Sequence, residues 1–272
     1  MSCGQEDWDD DGDARTPCVP KDVCLPGSYA SNDGAADVNR SCVACEPGYF
    51  TATNNATRCQ PWSECLAPTN FEVSPPSAEQ NRVCGACGGL EATRLDNAAT
   101  CTTLVYRVVQ GSVAIEAERA HNVVDTESDA WTELTIAGLS GNACMEVGPD
   151  DKSDWTLAPF ETAPRLDYLV EFETAGTYYV HIRGDAGADS EGYSDSCYAA
   201  LDGAVTNWYR FDVNGGTWGW ATQSVVVPTA GVHVVSILAR EDGFRVDKFV
   251  VSTGATAPSG NGPAAGTPTF AR

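Results

Sequence analysis

Ten cysteines follow a spacing that repeats along the first hundred residues of the chain. Cys18, Cys24, Cys42 and Cys45 recur, 41 or 42 residues later, as Cys59, Cys65, Cys84 and Cys87. A period of this length is typical of a supersecondary unit copied along an array. The segment is too poor in apolar residues to be held by a core, so we expect disulfides to hold it. Because cytosolic thiols are kept reduced, we expect a secreted or cell-surface protein.

The same spacing suggests how the cysteines pair. If each cysteine pairs with its neighbour in sequence, the bridges are Cys3–Cys18, Cys24–Cys42, Cys45–Cys59, Cys65–Cys84 and Cys87–Cys101. Loops of 13 or 14 intervening residues then alternate with loops of 17 or 18, and each closure stabilises by roughly 3 kcal/mol on the chain-entropy model. The alternative is zinc, since Cys42-x2-Cys45 and Cys84-x2-Cys87 have ligand-like spacing, but a second nearby ligand pair is missing.

The first half of the chain resembles a known repeat family. The segment CVACEPGYFTATNNATRCQPWSEC, at 42–65, and EQNRVC, at 79–84, are similar to the cysteine-rich repeats of tumour necrosis factor receptors and to ephrin-receptor-like repeats. The resemblance covers roughly residues 1–103. The second module carries one bridge where the receptor repeats often carry two crossed ones, so we infer no cytokine binding from it.

The charge balance excludes several classes of partner. Sixteen Lys plus Arg against 38 Asp plus Glu leave a net charge of −22. Such a chain repels nucleic acid and anionic lipid and suits an environment with divalent cations. The sequence contains no run of 18 apolar residues, so we expect no membrane insertion.

The residues from 104 to 253 predict a second domain made of strands. Apolar and polar side chains alternate at 166–173, and similar runs occur at 177–184, 196–202, 224–228, 232–240 and 244–252. A period of two indicates strands, and Gly-containing turns separate them. Eight to ten short strands without a helical period predict a β-sandwich of jelly-roll type. The fold class is therefore mainly β, a disulfide-stapled cysteine-rich array plus a sandwich. Residues 254–272, rich in Gly, Pro and Ala, predict a flexible linker.

This half also resembles a family. VAIEAERA, LDYLVEFETAGTYYVHIRG, NGGTWGWATQSVVVPTAGVHVVSIL and EDGFRVDKFVV are similar, in this order, to the galactose-binding-like β-sandwiches of carbohydrate-binding modules of families 6 and 35. The resemblance implies a lectin-like module that binds glycans without cleaving them.

Two glutamates near the start of this domain suggest a metal site. Glu116 and Glu118 lie two residues apart on a predicted strand, so their carboxylates share one face and repel each other unless a cation lies between them. In the resembling modules, such a pair and an Asp of the last strand hold structural calcium, which implies Glu116, Glu118 and Asp247 as ligands. The alternative is a solvated acidic edge paired with Arg119 or Lys248.

A second acidic segment lies near the start of the chain. Asp7-x-Asp9-x-Asp11-Gly12 begins like a calcium loop, but Cys18 occupies the twelfth position, where a bidentate Glu is expected. The EF-hand interpretation therefore fails. We expect a polar acidic loop that holds calcium loosely at most.

The remaining two cysteines lie in the second domain. We predict that Cys144 and Cys197 form a sixth bridge, with buried free thiols as the alternative.

The sequence also suggests a sugar site. Trp218 follows the Gly-rich turn at 214–216, and the family resemblance implies that its ring stacks on a ligand. The loop that contains Glu241 and Asp242 is expected to face it. Arg245 stands where family 6 modules often have an Asn, which favours an acidic or uronic sugar that an arginine can bind with two hydrogen bonds. Trp131 and Tyr193 are the alternative aromatic residues, and each Trp is equally a candidate for the core.

These observations predict a protein that is not an enzyme. The chain shows no Ser-His-Asp order, phosphate loop or zinc motif, and His181 and His233 fall within strands. We expect a calcium-stabilised, lectin-like glycan-binding module presented on a cysteine-rich stalk. The alternative is a surface adhesion or spacer protein whose repeats contact protein and which binds no sugar.

Overall fold

A computed structural model of the chain describes residues 3–156, 159–187, 192–205, 208–211 and 217–272. The chain forms two units, Met1–Thr102 and Thr103–Arg272. Nearly all regular structure is strand, so the predicted mainly β class is confirmed. No helix in the described part of the chain is long and apolar enough to cross a membrane.

The first unit consists of short strands joined by disulfides. The strands are β1 (Asp7–Trp8), β2 (Val19–Pro20), β3 (Ser28–Asn32), β4 (Ser41–Ala44), β5 (Tyr49–Phe50), β6 (Gln60–Pro61), β7 (Asn70–Ser74), β8 (Val83–Ala86) and β9 (Glu91–Ala92). β1 to β8 pair as four antiparallel hairpins in chain order. The five disulfides predicted from the spacing are present, with Cα–Cα distances of 5.3–5.7 Å.

A repeated Asn-Arg pair provides the polar contacts of the array. In both repeats the Asn side chain accepts a hydrogen bond from a backbone amide at 2.8 Å, and the Arg donates to the carbonyl of that same residue. These sets are Asn39-Arg40 with Asp22, and Asn81-Arg82 with Ser63. Arg40 is only 4% exposed. Arginine hydrogen bonds and disulfides therefore do here what an apolar core does in larger domains.

The second unit contains fourteen further strands and three short helical turns among its described residues. The strands are β10 (Thr102–Arg107), β11 (Ser112–Glu116), β12 (Asn122–Val124), β13 (Ala130–Thr135), β14 (Ala143–Gly148), β15 (Arg165–Phe172), β16 (Gly176–Asp185), β17 (Ser196–Leu201), β18 (Ala204–Val205), β19 (Tyr209–Arg210), β20 (Gly219–Val227), β21 (Gly231–Ala239), β22 (Arg245–Ser252) and β23 (Thr269–Phe270). One helix, α1, spans Pro159–Thr162, and 3-10 turns span Ala117–Arg119 and Ser140–Asn142.

These strands form two sheets that enclose the core. The first has the order β18-β17-β21-β15-β10-β23, with β12 beside β15 and β19 beside β17; the second has the order β13-β14-β22-β16-β20, with β11 beside β22. The rings of Tyr168, on β15, and Phe249, on β22, meet edge to face at 4.7 Å. Both residues are fully buried, so the core lies between the sheets as in a sandwich.

The two cysteines of the sandwich do not form the predicted bridge. Cys144 lies on β14 of the second sheet and Cys197 on β17 of the first, and both are buried free thiols. The predicted sixth disulfide is therefore wrong, because both sulfurs are free thiols on strands of different sheets. The alternative, two buried thiols, is the arrangement present.

The C-terminal segment also differs from its prediction. Residues 254–272 do not form a free linker but lie along the sandwich. β23 pairs with β10 through Leu104 and Phe270, and the carbonyls of Gly260 and Pro263 accept hydrogen bonds from Trp220 and Lys248. Backbone groups rather than apolar side chains hold the segment, which is why its composition misled the prediction.

Candidate functional site

The residues predicted to bind a ligand collect at one end of the second sheet. The starts of β13, β22 and β20 and the ends of β14 and β16 meet there, because Gly148 is paired with Ala130 and Arg245 with both Glu146 and Asp185. We call this the loop end of the second sheet. Loops at the ends of a sheet carry binding residues on a rigid frame.

Arg245 lies on a central strand at this end. Its Nε and Nη2 are each 3.1 Å from Oε1 of Glu146 on β14, and its Nη1 is 3.8 Å from Oδ2 of Asp185 on β16. Both Arg245 and Glu146 keep about a quarter of their side-chain surface exposed. The predicted ligand residue Arg245 is therefore accessible, but its charge is already shared with Glu146, a residue that the sequence analysis missed.

Trp218 lies at the same end of the second sheet, directly before Gly219, the first residue of β20, which pairs with Gly184 on β16. The residue is half-buried, and the guanidinium of Arg183 lies 5.4 Å from the centroid of its ring. The same guanidinium donates to Oδ2 of Asp247 at 2.6 Å. The turn at 214–216 that was predicted to precede Trp218 lies outside the described residues. Trp218 keeps enough open surface for an aromatic contact with a ligand.

Three other predicted ligand residues are buried, so their predicted roles in direct ligand contact are wrong in this structure. Trp131 is 6% exposed, Glu241 is 9% exposed and Asp242 is fully buried. Oε2 of Glu241 accepts hydrogen bonds from the amide of Asp195 at 3.1 Å and from Oγ of Ser196 at 2.6 Å. Burial raises the pKa of both Glu241 and Asp242. Their loop holds strands together instead of facing solvent.

Two further aromatic residues are exposed. Tyr193, predicted as an alternative, is 48% exposed, with Nζ of Lys152 4.3 Å from its ring centroid. Trp208, which the sequence analysis missed, is 41% exposed, and the guanidinium groups of Arg240 and Arg210 lie 4.8 and 5.7 Å from its ring. The Trp-Tyr-Arg run at 208–210 was the available signal. Trp208 lines a shallow depression with Thr222 and Gln223.

The predicted calcium ligands share an unusual feature. Glu116 Oε2, Glu118 Oε2 and Asp247 Oδ1 are each buried without a hydrogen-bond partner. Asp247 is the extra residue of a β-bulge, since Arg183 pairs with Lys248 and Gly184 with Val246, and a bulge redirects a side chain. Burial raises the pKa of Glu118 and Asp247. Carboxylate oxygens are hard ligands of the kind that calcium binds.

Positive side chains already lie against this trio. Nζ of Lys248 is 3.3 Å from Oε1 of Glu116, which also accepts a hydrogen bond from Oγ of Ser140 at 2.5 Å. The pairing of Glu116 with Lys248 is the alternative foreseen from the sequence, but it is buried rather than solvated. Among the described residues, two acidic groups bring three carboxylates within 4.8 Å of one another, namely Asp9, Asp10 and Asp11, and Asp129, Asp151 and Asp242; the predicted trio does not.

The first of these acidic groups behaves as a polar loop. Oδ1 of Asp9 accepts from the amide of Gly12, and Oδ1 of Asp11 accepts from the amide of Asp13 and from Oγ1 of Thr16, all at 2.9 Å. Local Asx turns therefore use these oxygens.

Comparison with known proteins relates the second unit to a family. Residues 106–265 match the family model described as "Glycosyl hydrolase family 115 C-terminal domain". An uncharacterized protein, P23, of Formosa agariphila is 26% identical over 212 residues, which are 62% of this chain and 50% of that protein. The chain thus spans about half the length of this relative.

The first unit has a relative of its own. Tumor necrosis factor receptor superfamily member 4 of Mus musculus is 33% identical over 61 residues, which are 22% of each chain.

Solved structures include two similar modules. One is the C-terminal CBM6 of a marine laminarinase, LamC, from Zobellia galactanivorans, with 16% identity and a TM-score of 0.40, covering 52% of this chain and 99% of that chain. The other is a family 35 carbohydrate-binding module from Clostridium thermocellum, with 16% identity and a TM-score of 0.38, covering 52% of this chain and 96% of that chain.

Proposed function

Because the chain belongs to the family of glycosyl hydrolase family 115 C-terminal domains, we propose that its β-sandwich binds a polysaccharide outside the cell and does not cleave it. The observation that carries the proposal is that Trp218, a half-buried ring, and the charged pair of Arg245 and Glu146 lie at the same end of the second sheet. Sugars offer apolar C–H faces that pack on a ring and hydroxyls that need nearby polar partners. The five disulfides support an extracellular location.

The class of sugar that we propose is acidic. Nε and Nη2 of Arg245 both donate to one oxygen of Glu146. A uronate carboxylate would accept hydrogen bonds from the same two donors. A bound uronate therefore competes with Glu146 for the guanidinium. Glu146→Gln should release Arg245 and bind an acidic glycan more tightly than the parent does.

Calcium is the second part of the proposal. Glu116, Glu118 and Asp247 would hold a structural ion, and their three unpartnered buried oxygens support this. The ion adds positive charge where burial disfavours ionised carboxylates.

The experiment uses the full chain, because residues 254–272 pack on the sandwich. A glycan array of neutral and uronic polysaccharides identifies a binder, and calorimetry then compares the parent with Trp218→Ala and Arg245→Ala. Each change should weaken binding at least tenfold, about 1.4 kcal/mol. Trp208→Ala, which removes a different exposed ring, is the matched control and should bind like the parent.

Several results would contradict the proposal. Undiminished binding in both Trp218→Ala and Arg245→Ala, with the fold intact, would show that the sugar binds elsewhere. A loss of binding confined to Trp208→Ala would place the site in the depression lined by Trp208, Thr222 and Gln223. New reducing ends released from the bound glycan would contradict the non-catalytic part. Absence of binding to every polysaccharide on the array would refute sugar binding itself.

A second candidate function is adhesion through the repeats. Leu25 and Leu66 follow equivalent cysteines one repeat apart and are 62% and 53% exposed. Apolar side chains repeated at one position of an array favour contact with a protein. This function gains support if the array shows no glycan binding and the full chain forms complexes that Leu25→Ser and Leu66→Ser abolish.

A further inference from the structure

Three loops meet near the start of β13 and the end of β14 on the second sheet. Asp129 precedes β13, Asp151 follows β14, and Asp242 precedes β22. β13, β14 and β22 are neighbours in that order, so the register of the sheet brings the three loops to one place. The three side chains each offer a carboxylate oxygen, and these oxygens lie within 4.8 Å of one another.

Hydrogen bonds fix two of these carboxylates in position. Oδ2 of Asp242 accepts from the amide of Asp151 at 2.6 Å, and the amide of Asp242 donates to the carbonyl of Ser153 at 3.2 Å. Oδ2 of Asp129 accepts from Oγ of Ser128 at 2.5 Å, and its amide donates to Oγ1 of Thr126 at 2.9 Å. The carboxylates of Asp129 and Asp242 are therefore held in fixed positions and do not rotate freely.

The second oxygen of each of these two carboxylates is unsatisfied. Asp129 is 3% exposed and Asp242 is fully buried, and Oδ1 of both is buried without a hydrogen-bond partner. Native proteins rarely leave such atoms without a partner, and a bound ion is one of the standard reasons when they do. No ion pair among the described residues involves Asp129, Asp151 or Asp242.

A further carboxylate adds to the negative charge. Asp150 lies against Gly243, where an added Cβ would come within 2.7 Å of the carboxyl carbon of Asp150. Burial, aided by the charge of Asp150, raises the pKa of Asp242. A bound cation would reverse that shift.

We propose that Asp129, Asp151 and Asp242 form a calcium site that is separate from Glu116, Glu118 and Asp247. Three carboxylates from irregular loops, with backbone carbonyls nearby, match the six to eight oxygen ligands and flexible geometry of Ca²⁺. Asp151 is exposed, so water completes the coordination on that side. The ion would join the loops of three adjacent strands next to Arg245.

The test is a calorimetric titration of CaCl2 into the full chain after treatment with EDTA. Asp151→Asn is the main variant, because Asp151 is exposed and its replacement does not disturb the core. Asp242→Asn is the second, since an amide oxygen can still accept the hydrogen bond from Asp151. Asp154→Asn, an exposed residue of the same loop, is the matched control, and Glu116→Gln separates this site from the other proposed one.

The expected result is that Asp151→Asn and Asp242→Asn lose one bound equivalent or bind it at least tenfold more weakly, while Asp154→Asn and Glu116→Gln keep it. Without calcium, the melting temperature of Asp242→Asn should be higher than that of the parent, because the variant lacks one repelling charge. With calcium, it should be lower than that of the parent, because the variant lacks one ligand of the ion. Binding equal to that of the parent in Asp151→Asn and in folded Asp242→Asn would overturn the site. So would the absence of Ca²⁺ binding by the parent at millimolar concentration.

Discussion

Replacement of Lys248 by Met tests how the charged cluster beside the C-terminal segment is stabilised. Lys248 is 1% exposed, its Nζ lies 3.3 Å from Oε1 of Glu116, and it donates to the carbonyl of Pro263 at 3.0 Å. Met keeps the approximate length of the side chain and removes its charge. Glu116, which is 6% exposed, would then be a buried carboxylate without this cation.

The expected loss in free energy of unfolding follows from that burial. Removing one partner of a buried ion pair costs about 3–5 kcal/mol, because the other charge stays buried. With a urea m value of about 2 kcal/mol per molar, the midpoint of unfolding falls by about 2 M. The double variant, Lys248→Met with Glu116→Gln, leaves neither charge and should recover most of this loss.

Urea unfolding followed by tryptophan fluorescence measures the effect. Five of the seven tryptophans, namely Trp131, Trp155, Trp208, Trp218 and Trp220, lie in the second unit, so the signal mainly reports unfolding of the sandwich. A loss below about 1 kcal/mol in Lys248→Met, or a double variant that is no more stable than the single one, would refute the buried-pair argument.

Calcium adds a second arm to the same measurement. If Glu116, Glu118 and Asp247 share an ion, added CaCl2 should restore part of the stability of Lys248→Met, by about 2.7 kcal/mol at a hundred times the dissociation constant. An equal response to CaCl2 in Lys248→Met and in its Asp247→Ala derivative would exclude Asp247 from that site, while the ion-pair argument would stand.

The other predictions concern thiols and pH. Burial raises the pKa of Cys144 to about 12 and that of Cys197 well above its ordinary value. A thiol reagent should therefore label neither cysteine in the native protein and both cysteines in denaturant. If no cysteine is labelled in denaturant, Cys144 and Cys197 form a disulfide after all. Burial opposes protonation of His233, but its hydrogen bonds to Asp202 and to the carbonyl of Thr229 outweigh burial and raise its pKa. The parent should therefore have a larger free energy of unfolding than His233→Gln at pH values below the ordinary histidine pKa of about 6.5. This difference should be lost as the pH rises through the pKa of His233 in the folded protein. A difference that grows with pH would contradict the prediction.

Local patterns in the sequence predicted most of the fold. The alternation at 177–184 corresponds to β16 (Gly176–Asp185), and that at 232–240 corresponds to β21 (Gly231–Ala239). Both follow from one face of a strand being buried. The cysteine pairing was predictable for a related reason, because each bridge joins residues at most 19 apart in sequence.

The candidate site was harder to predict, because it depends on contacts between distant parts of the chain. Sequence placed Trp131 and Asp242 near the ligand but could not show that both are buried. Asp151 and Asp242 are 91 residues apart and meet through a backbone-to-carboxylate hydrogen bond. Only the order and register of the strands reveal such a pair, and neither is encoded in local periodicity.

The C-terminal segment shows how composition alone can mislead. A stretch rich in Gly, Pro and Ala has little apolar surface to bury, so the argument from composition predicts a linker. Its carbonyls, however, accept hydrogen bonds from donors on the sandwich: Pro263 from Lys248, Gly260 from Trp220, and Phe270 from Arg107. A buried ammonium group is stable only when it has charged and polar partners. Lys248 is therefore stabilised by both the carboxylate of Glu116 and the carbonyl of Pro263. Because Pro263 belongs to the C-terminal segment, its hydrogen bond with Lys248 also holds this segment against the sheet.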